Sequence, residues 1–277
     1  MAAHPVPIAG ADMAEAPLIL REARQGVLRL TLNQPQRRNA LSEAMMGALR
    51  AALDAAARDG ETRVIVIGAS GPAFCAGHDL KELTAGRAAP DHGRAYFARI
   101  MAQCAELMQS IVAHPRPVIA DVRGIATAAG CQLVASCDLA IAGRSARFAT
   151  PGANIGLFCS TPMVALSRNV ARKHAMEMLL TGDFISAERA AEIGLVNRVV
   201  DNAGMDAAVD ELAGRIATKS LMTLKTGKQA FYRQADMALA DAYAYTAAIM
   251  VENMLKRDAE EGVAAFIEKR EPAWRDE

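Results

Sequence analysis

The sequence predicts an α/β core followed by an α-helical C-terminal part. Short β-branched runs alternate with segments of helical spacing through the first part of the chain, the pattern of a sheet covered by helices. From Thr161 onward nearly every segment has helical spacing. Aromatic residues are only 4%, while Ala and Met are abundant, which favours helix. The chain has 277 residues, 52% hydrophobic and 22% charged, so it is neither disordered nor fibrous and can bury a sizeable core.

Met1–Pro17 is Ala- and Pro-rich, with Asp12 and Glu15 but no Lys or Arg. That composition suits a flexible tail rather than a targeting peptide, and a cytoplasmic location is expected. Leu18–Arg24 and Val27–Leu32 read as a hairpin turning at Gln25-Gly26. Asn33–Arg38 is a polar, Pro-containing loop. Ser42 caps a helix that reaches about Arg58, with Met45, Met46, Leu49 and Leu53 on one stripe. Val64–Ile67 is a continuous β-branched run, as in a strand buried on both faces. A loop at Gly68–Pro72 follows. His92–Val112 is an amphipathic helix with Ile100, Cys104, Leu107, Met108 and Ile111 on its apolar side, stopped by Pro115 and Pro117.

Val118–Val122 is a second buried strand, Gly124–Gly130 a turn of small residues, and Cys131–Ser136 a short helix. Leu139–Ala142 and Arg147–Ala149 are short strands. Ser160 is the expected N-cap of the next helix, with Pro162 in its first turn. Helices follow at roughly 161–169, 171–180, 186–193, 206–218, 220–234, 238–256 and 259–269, with one last strand at Val196–Val200. The expected organisation is a tail over 1–17, an α/β core over 18–200 and a helical region over 201–277.

Charge and cysteine usage exclude several functions. Lys plus Arg and Asp plus Glu both total 31, so no bulk charge favours nucleic acid or an anionic membrane. The uncharged run Phe148–Ser167 contains Pro151, Gly152, Asn154 and Pro162 and is unsuited to crossing a bilayer. Five cysteines without a Cys-x-x-Cys pair indicate reduced, buried thiols, and the scattered histidines give no metal-binding spacing. The balance is locally uneven. Val122–Met176 contains a single acid, Asp138, against six bases. This stretch is either a buried segment or the rim of an anion pocket.

No Gly-x-Ser-x-Gly elbow or P-loop is present, and Gly68-Ala-Ser-Gly71 lacks the third Gly of a dinucleotide fingerprint. Two turns stand out instead: Phe74-Cys-Ala-Gly77-His78-Asp79-Leu80 and Gly124-Ile-Ala-Thr-Ala-Ala129-Gly130-Cys131. Each is a strand–turn–helix candidate with small residues at the bend. Small residues permit tight packing; they also let a ligand reach unpaired N–H groups at a helix start. Two such turns side by side could aim two amides at one oxygen, forming an oxyanion hole.

At these residues the chain resembles the crotonase (enoyl-CoA hydratase/isomerase) family over roughly residues 18–275. The segments that carry the resemblance are Asn33-Gln-Pro-Gln-Arg-Arg-Asn39-Ala-Leu41, Ala73-Phe-Cys-Ala-Gly77-His-Asp79-Leu-Lys-Glu82, Pro117–Gly124, Ala129-Gly-Cys-Gln-Leu133 with Cys137-Asp138, Thr181-Gly182 through Val196, and Glu261–Arg270. Ala126–Gln132 and Gly156–Pro162 look like one branch of that family.

The resemblance implies a ββα spiral core, a helical C-terminal trimerisation region and a homotrimer or dimer of trimers. It also implies an acyl-CoA or enoyl-CoA ligand, with coenzyme A entering as part of the substrate and no permanently bound cofactor. It places oxyanion-hole amides at His78 and Ala129, and coenzyme A contacts at Arg37, Arg38, Ala40, Ala76, Asp79 and Leu80. The family's two catalytic glutamates fall at Gln132 and Gly152. An amide is not a practical base and glycine has no side chain, so weak or absent hydration is expected from a chain that is nominally a hydratase/isomerase of fatty acid metabolism. Cys159, Ser160 and Thr161 are further candidates to line the pocket, and Asp138 is expected to be structural. Thioester hydrolysis, decarboxylation and silent acyl-CoA binding remain alternatives.

Overall fold

A computed structural model describes residues 16–277, so most of the expected N-terminal tail lies outside the described residues. The chain opens with an antiparallel hairpin, β1 (Ile19–Arg24) and β2 (Val27–Leu32), turning at Gln25-Gly26 as the sequence indicates. Helix α1 (Glu43–Arg58) follows, and the Ser42 hydroxyl accepts from the Met45 amide at 3.1 Å, which is the expected cap.

The chain then repeats one pattern. A strand enters a large sheet, a second enters a small sheet, and helix follows. The first repeat is β3 (Val64–Ala69), β4 (Ala73–Cys75), α2 (Leu80–Gly86) and α3 (Arg94–Val112). The second is β5 (Val118–Val122), β6 (Ile125–Thr127) and α4 (Ala129–Ser136). The third is β7 (Leu139–Gly143), β8 (Arg147–Ala149), α5 (Pro162–Asn169) and α6 (Arg172–Thr181). Strands β3, β5 and β7 pair in parallel within the large sheet, and β4, β6 and β8 in parallel within the small one. This is the ββα spiral that the resemblance implies.

Strand β9 (Ile185–Ser186) closes the small sheet, giving the order β4-β6-β8-β9. After α7 (Ala187–Glu192), strand β10 (Arg198–Val200) completes the large sheet as β1-β2-β3-β5-β7-β10. Beyond Val200 the regular structure is helical: α8 (Met205–Ala217), α9 (Leu221–Gln234), α10 (Leu239–Met254) and α11 (Arg257–Glu268).

The β-branched run in β3 is explained by burial on both faces. Ile65 and Ile67 join the main core with α1 and α3. Val64 and Val66 join a second cluster beneath Met205, Val209 and Leu212 of α8. Three short strands were not expected from the sequence: β4, β6 and β9. The expected turn at Gly124–Gly130 contains β6, and α4 begins at Ala129 rather than Cys131. The Ser160 cap is also corrected. Thr161 holds the N-cap position of α5 without a capping bond, and the Ser160 hydroxyl bonds the Phe158 carbonyl at 3.4 Å.

Two further features frame the site. Asp138, at the entrance to β7, accepts from the Val118 amide and Lys228 Nζ, both at 2.7 Å, and from the Tyr232 hydroxyl at 2.9 Å. It fastens α9 to the core and is structural, as expected. Helices α10 and α11 expose an apolar surface that includes Met254, Leu255 and Ile267, with Phe266 85% exposed. Among the described residues, no helix is long and apolar enough to cross a membrane, and no metal-ligating cluster occurs.

Candidate active site at the strand ends of the small sheet

Parallel strands β4, β6 and β8 end side by side, and each hands the chain to a turn. His78 lies three residues beyond β4, Ala129 two beyond β6 and Gly152 three beyond β8. The carboxyl ends of parallel strands are the usual place for a ligand crevice. The repeat thus brings together three residues that are far apart in sequence.

Main-chain contact joins the first two turns. Gly77 has φ +88, and a Cβ there would lie 2.9 Å from Ala128 Cβ and 3.4 Å from the Ala129 nitrogen. A Cβ on Gly130 would lie 2.2 Å from the Cys75 carbonyl oxygen. Only glycine permits either approach. Ala128 has φ +49, a strained value for a residue with a side chain, and its amide is anchored to the Ala149 carbonyl at 3.0 Å. Neither the His78 amide nor the Ala129 amide donates to a protein acceptor among the described residues. The two N–H groups expected to form the hole are therefore free, on touching turns. Both His78 ring nitrogens are buried without a partner, and burial holds the imidazole below its ordinary pKa.

The loop carrying the arginine pair runs alongside the first turn. Ala76 N–H donates to the Arg38 carbonyl at 3.1 Å, and Leu41 N–H to the Gly77 carbonyl at 2.8 Å. Asn39 fixes the loop from within. Its Oδ1 accepts from the Gln34 amide, and its Nδ2 donates to the Ser70 and Ala73 carbonyls. Those bonds hold Arg38 and Asn39 at positive φ, 53 and 50.

The two arginines are not equivalent. Arg37 Nη2 sits 2.6 Å from Asp79 Oδ2, whereas the exposed Arg38 guanidinium has no carboxylate partner among the described residues. Asp79 also caps α2 by accepting from the Lys81 and Glu82 amides. Its carboxylate is committed to the fold, which leaves the main chain around it for a ligand. Ala40 is buried, Ala76 half-buried and Leu80 exposed along this edge.

Gln132 projects one helical turn beyond Ala129 and is 5% exposed. The Cys104 thiol lies 3.9 Å from Gln132 Oε1, and burial raises that thiol's pKa to about 11, so it stays protonated and donates. Gln132 Nε2 finds no acceptor among the described residues. Gly152 is closed over rather than empty. A Cβ there would lie 2.5 Å from the Leu157 carbonyl oxygen and 2.9 Å from Cys159 Sγ. The Gly152 amide donates to Cys159 Sγ at 3.3 Å, and burial raises the Cys159 pKa.

Two of the six bases over Val122–Met176 are already paired with carboxylates. Arg123 pairs with Asp121 and Asp206, and Arg144 with Glu188 and Asp201. All of those acids lie outside the stretch. The roles of Cys104 as partner of Gln132, and of Asn39 as the loop's anchor, had no signal in residue spacing.

The chain is similar to known proteins over almost its whole length. Residues 22–277 match the family described as enoyl-CoA hydratase/isomerase. The chain is 47% identical to mitochondrial enoyl-CoA hydratase domain-containing protein 3 of Xenopus laevis, covering 95% of this chain and 87% of that protein. The crystal structure of an enoyl-CoA hydratase of Mycobacterium smegmatis superposes with a TM-score of 0.89 at 52% identity, over 93% of this chain and 99% of that one. That of human enoyl-CoA hydratase domain-containing protein 3 gives 0.88 at 44% identity, over 93% and 100%.

Proposed function

Because the chain belongs to the enoyl-CoA hydratase/isomerase family, we propose that it binds an acyl-CoA or enoyl-CoA thioester, with the His78 and Ala129 amides on the thioester carbonyl oxygen. Donors fixed at a developing enolate need no side-chain chemistry. Arg38 and the main chain from Ala76 to Leu80, with Ala40, take the coenzyme A portion. Coenzyme A arrives as part of the substrate, and no permanent cofactor is invoked.

Hydration of a 2-enoyl ester is weak or absent in this reading. The observation that carries it is the closed space at Gly152, where the Leu157 carbonyl and Cys159 Sγ stand in place of a side chain. With Gln132 at the other position, no group there exchanges a proton near neutral pH. Losing one such group costs about 10²–10⁴-fold in rate. Crotonyl-CoA hydration by the purified protein tests this. Turnover like that of an ordinary hydratase would overturn it.

A second reading is supported by the same pair of free amides, beside which the Asp79 carboxylate is already tied to Arg37 and the start of α2. A reaction needing chiefly the oxyanion hole, such as decarboxylation or thioester hydrolysis, would suit the site. A panel of CoA esters followed by mass spectrometry separates this from a non-catalytic acyl-CoA-binding subunit. The apolar surface of α10 and α11 supports a homotrimer or dimer of trimers, checked by light scattering. Free cysteines at all five positions support a reducing compartment such as the cytoplasm, checked by cell fractionation.

A further inference from the structure

We infer that residues 270–277 form a clasp that docks and undocks as one unit, and that its docking fixes the pose of the α10–α11 arm and of the apolar surface the arm carries.

The first ground is how little of the arm is buried. Ala242 is the only buried residue of α10, and α11 buries only Asp258 and Ala265. The large apolar side chains Met250, Met254, Phe266 and Ile267 stay exposed on this chain. With so few buried apolar contacts, the arm keeps one orientation only where polar contacts impose it.

The second ground is the set of bonds that impose it. The chain turns back at Lys269, with φ +57. Arg270 grips Glu261 through two nitrogens, at 2.6 and 3.0 Å, and the Ala273 amide donates to the same carboxylate at 2.7 Å. Asp258, near the start of α11, accepts from the Arg275 and Asp276 amides, both at 2.9 Å. The same segment is tied to the body of the protein. Asp276 accepts from the Leu221 amide at 2.6 Å and from Arg63 at 2.8 and 3.2 Å. Arg63 stands just before β3 and also donates to the Ala217 and Lys219 carbonyls. Residues 270–277 therefore bridge α11 to the α8–α9 junction and to the large sheet.

The third ground is that the segment is held without burial. Pro272, Trp274 and Asp276 are half-buried and alternate with exposed residues. Solvent-accessible polar contacts of this kind open at a fraction of the free energy that a core requires. Glu261, Asp258 and Asp276 each serve at least two partners, so losing one bond loosens the next and the segment leaves together.

Trp274 makes the clasp visible. It is the only tryptophan in the chain. Its Nε1 donates to the Thr218 carbonyl at 2.8 Å, and its ring lies against Gly262 of α11, where a Cβ would meet Cη2 at 3.1 Å. Tryptophan emission thus reports whether α11 is docked on the end of α8.

Urea titration of the full-length protein, followed by Trp274 emission and by far-UV circular dichroism, tests the inference. We expect the emission to shift to the red at lower urea than the loss of dichroism, because the clasp opens before the core. Asp276→Asn keeps the size and weakens the grip of Arg63, so it should widen the gap between the two midpoints. Native-state hydrogen exchange gives a second readout. The α11 amides should be less protected than those of β3, and Asp276→Asn should speed their exchange about tenfold, the scale of one charge-assisted bond. Coincident transitions in the wild type, or protection of α11 as high as that of β3, overturn the inference. The wild-type measurements decide the matter even if the variant fails to fold.

The consequence for the apolar surface rests on the proposed homo-oligomer. Light scattering across a dilution series should show Asp276→Asn dissociating at about tenfold higher concentration than the wild type. Early emission with unchanged dissociation overturns the link to the surface and leaves the clasp standing. A monomeric wild type overturns the oligomer reading itself.

Discussion

The Cys159 thiol accepts the Gly152 amide proton at 3.3 Å and stands where a side chain on residue 152 would begin. The segment Leu157–Cys159 is folded over Gly152, where the motif resemblance leads one to expect a glutamate. A glutamate at this position therefore has to displace main chain as well as a sulfur atom. Gly152→Glu is expected to lower stability by about 1–3 kcal/mol, as overpacking does. It should give no gain in crotonyl-CoA hydration. Thermal melts and the hydration assay check both parts, and a rise in hydration to ordinary levels would show that the loop yields easily.

The arginine pair should separate into two phenotypes. Arg38→Ala removes an unpaired surface cation and should weaken CoA-ester binding about three- to tenfold, an effect that shrinks with added salt. Its melting temperature should stay at the wild-type value. Arg37→Ala breaks the pair with buried Asp79 and should cost about 1 kcal/mol of stability, because the guanidinium itself is partly solvated. Ester titrations at two salt concentrations, beside melts, distinguish the two residues.

Stability should fall on mild acidification, in part through His114. This buried ring places Nε2 3.0 Å from the Leu53 carbonyl and accepts from the Arg116 amide at Nδ1. Both bonds are met only by the neutral tautomer with the proton on Nε2. Burial chiefly, with Lys228 and Arg116 adding repulsion, holds its pKa below the ordinary 6.5. The unfolded chain then takes up a proton before the folded one does. This contribution is fully present above about pH 6.5 and is lost as pH falls below it, by up to about 1.4 kcal/mol per pH unit. His78 is shifted in the same direction. Urea midpoints between pH 8 and 5 should decline in the wild type and decline less in His114→Asn.

Asp138→Ala should be among the most damaging single changes outside the site. It leaves the buried Lys228 ammonium with only the Ile111 and Arg116 carbonyls and strips the Tyr232 hydroxyl of its acceptor. Breaking a buried pair from one side costs about 3–5 kcal/mol. The paired change Asp138→Ala with Lys228→Met should recover part of that loss. A double-mutant cycle in urea measures the recovery, and strictly additive losses would show that the two groups act separately.

The sequence is most readable where a segment's own pattern decides its structure. The hairpin at Gln25-Gly26, the Ser42 cap and the β-branched runs of β3 and β5 are of this kind. Strands β4, β6 and β9 are two or three residues long, too short for a period to show. They are strands because each finds a partner from a distant segment, and spacing along one segment does not record that. The cap at Ser160 failed for a related reason: the fold turns that hydroxyl to the Phe158 carbonyl. Motif resemblance pointed to His78, Ala129, Gln132 and Gly152, and the structure sets them at the ends of neighbouring strands and the start of α4. It did not reveal that Cys159 fills the space at Gly152, that Cys104 meets Gln132, or that Asp79 has already claimed Arg37. Each is a meeting of side chains and loops that only the spiral brings together.

The contacts of Gly77 and Gly130 separate two inheritances within one pocket. The spacing of the His78 and Ala129 amides is set by backbone resting on backbone, at glycines where any added carbon would push the turns apart. Substitution at Gln132 should therefore leave the spacing of the two amides unchanged. A scaffold built this way can outlive its original reaction: the recognition element persists while the chemistry drifts.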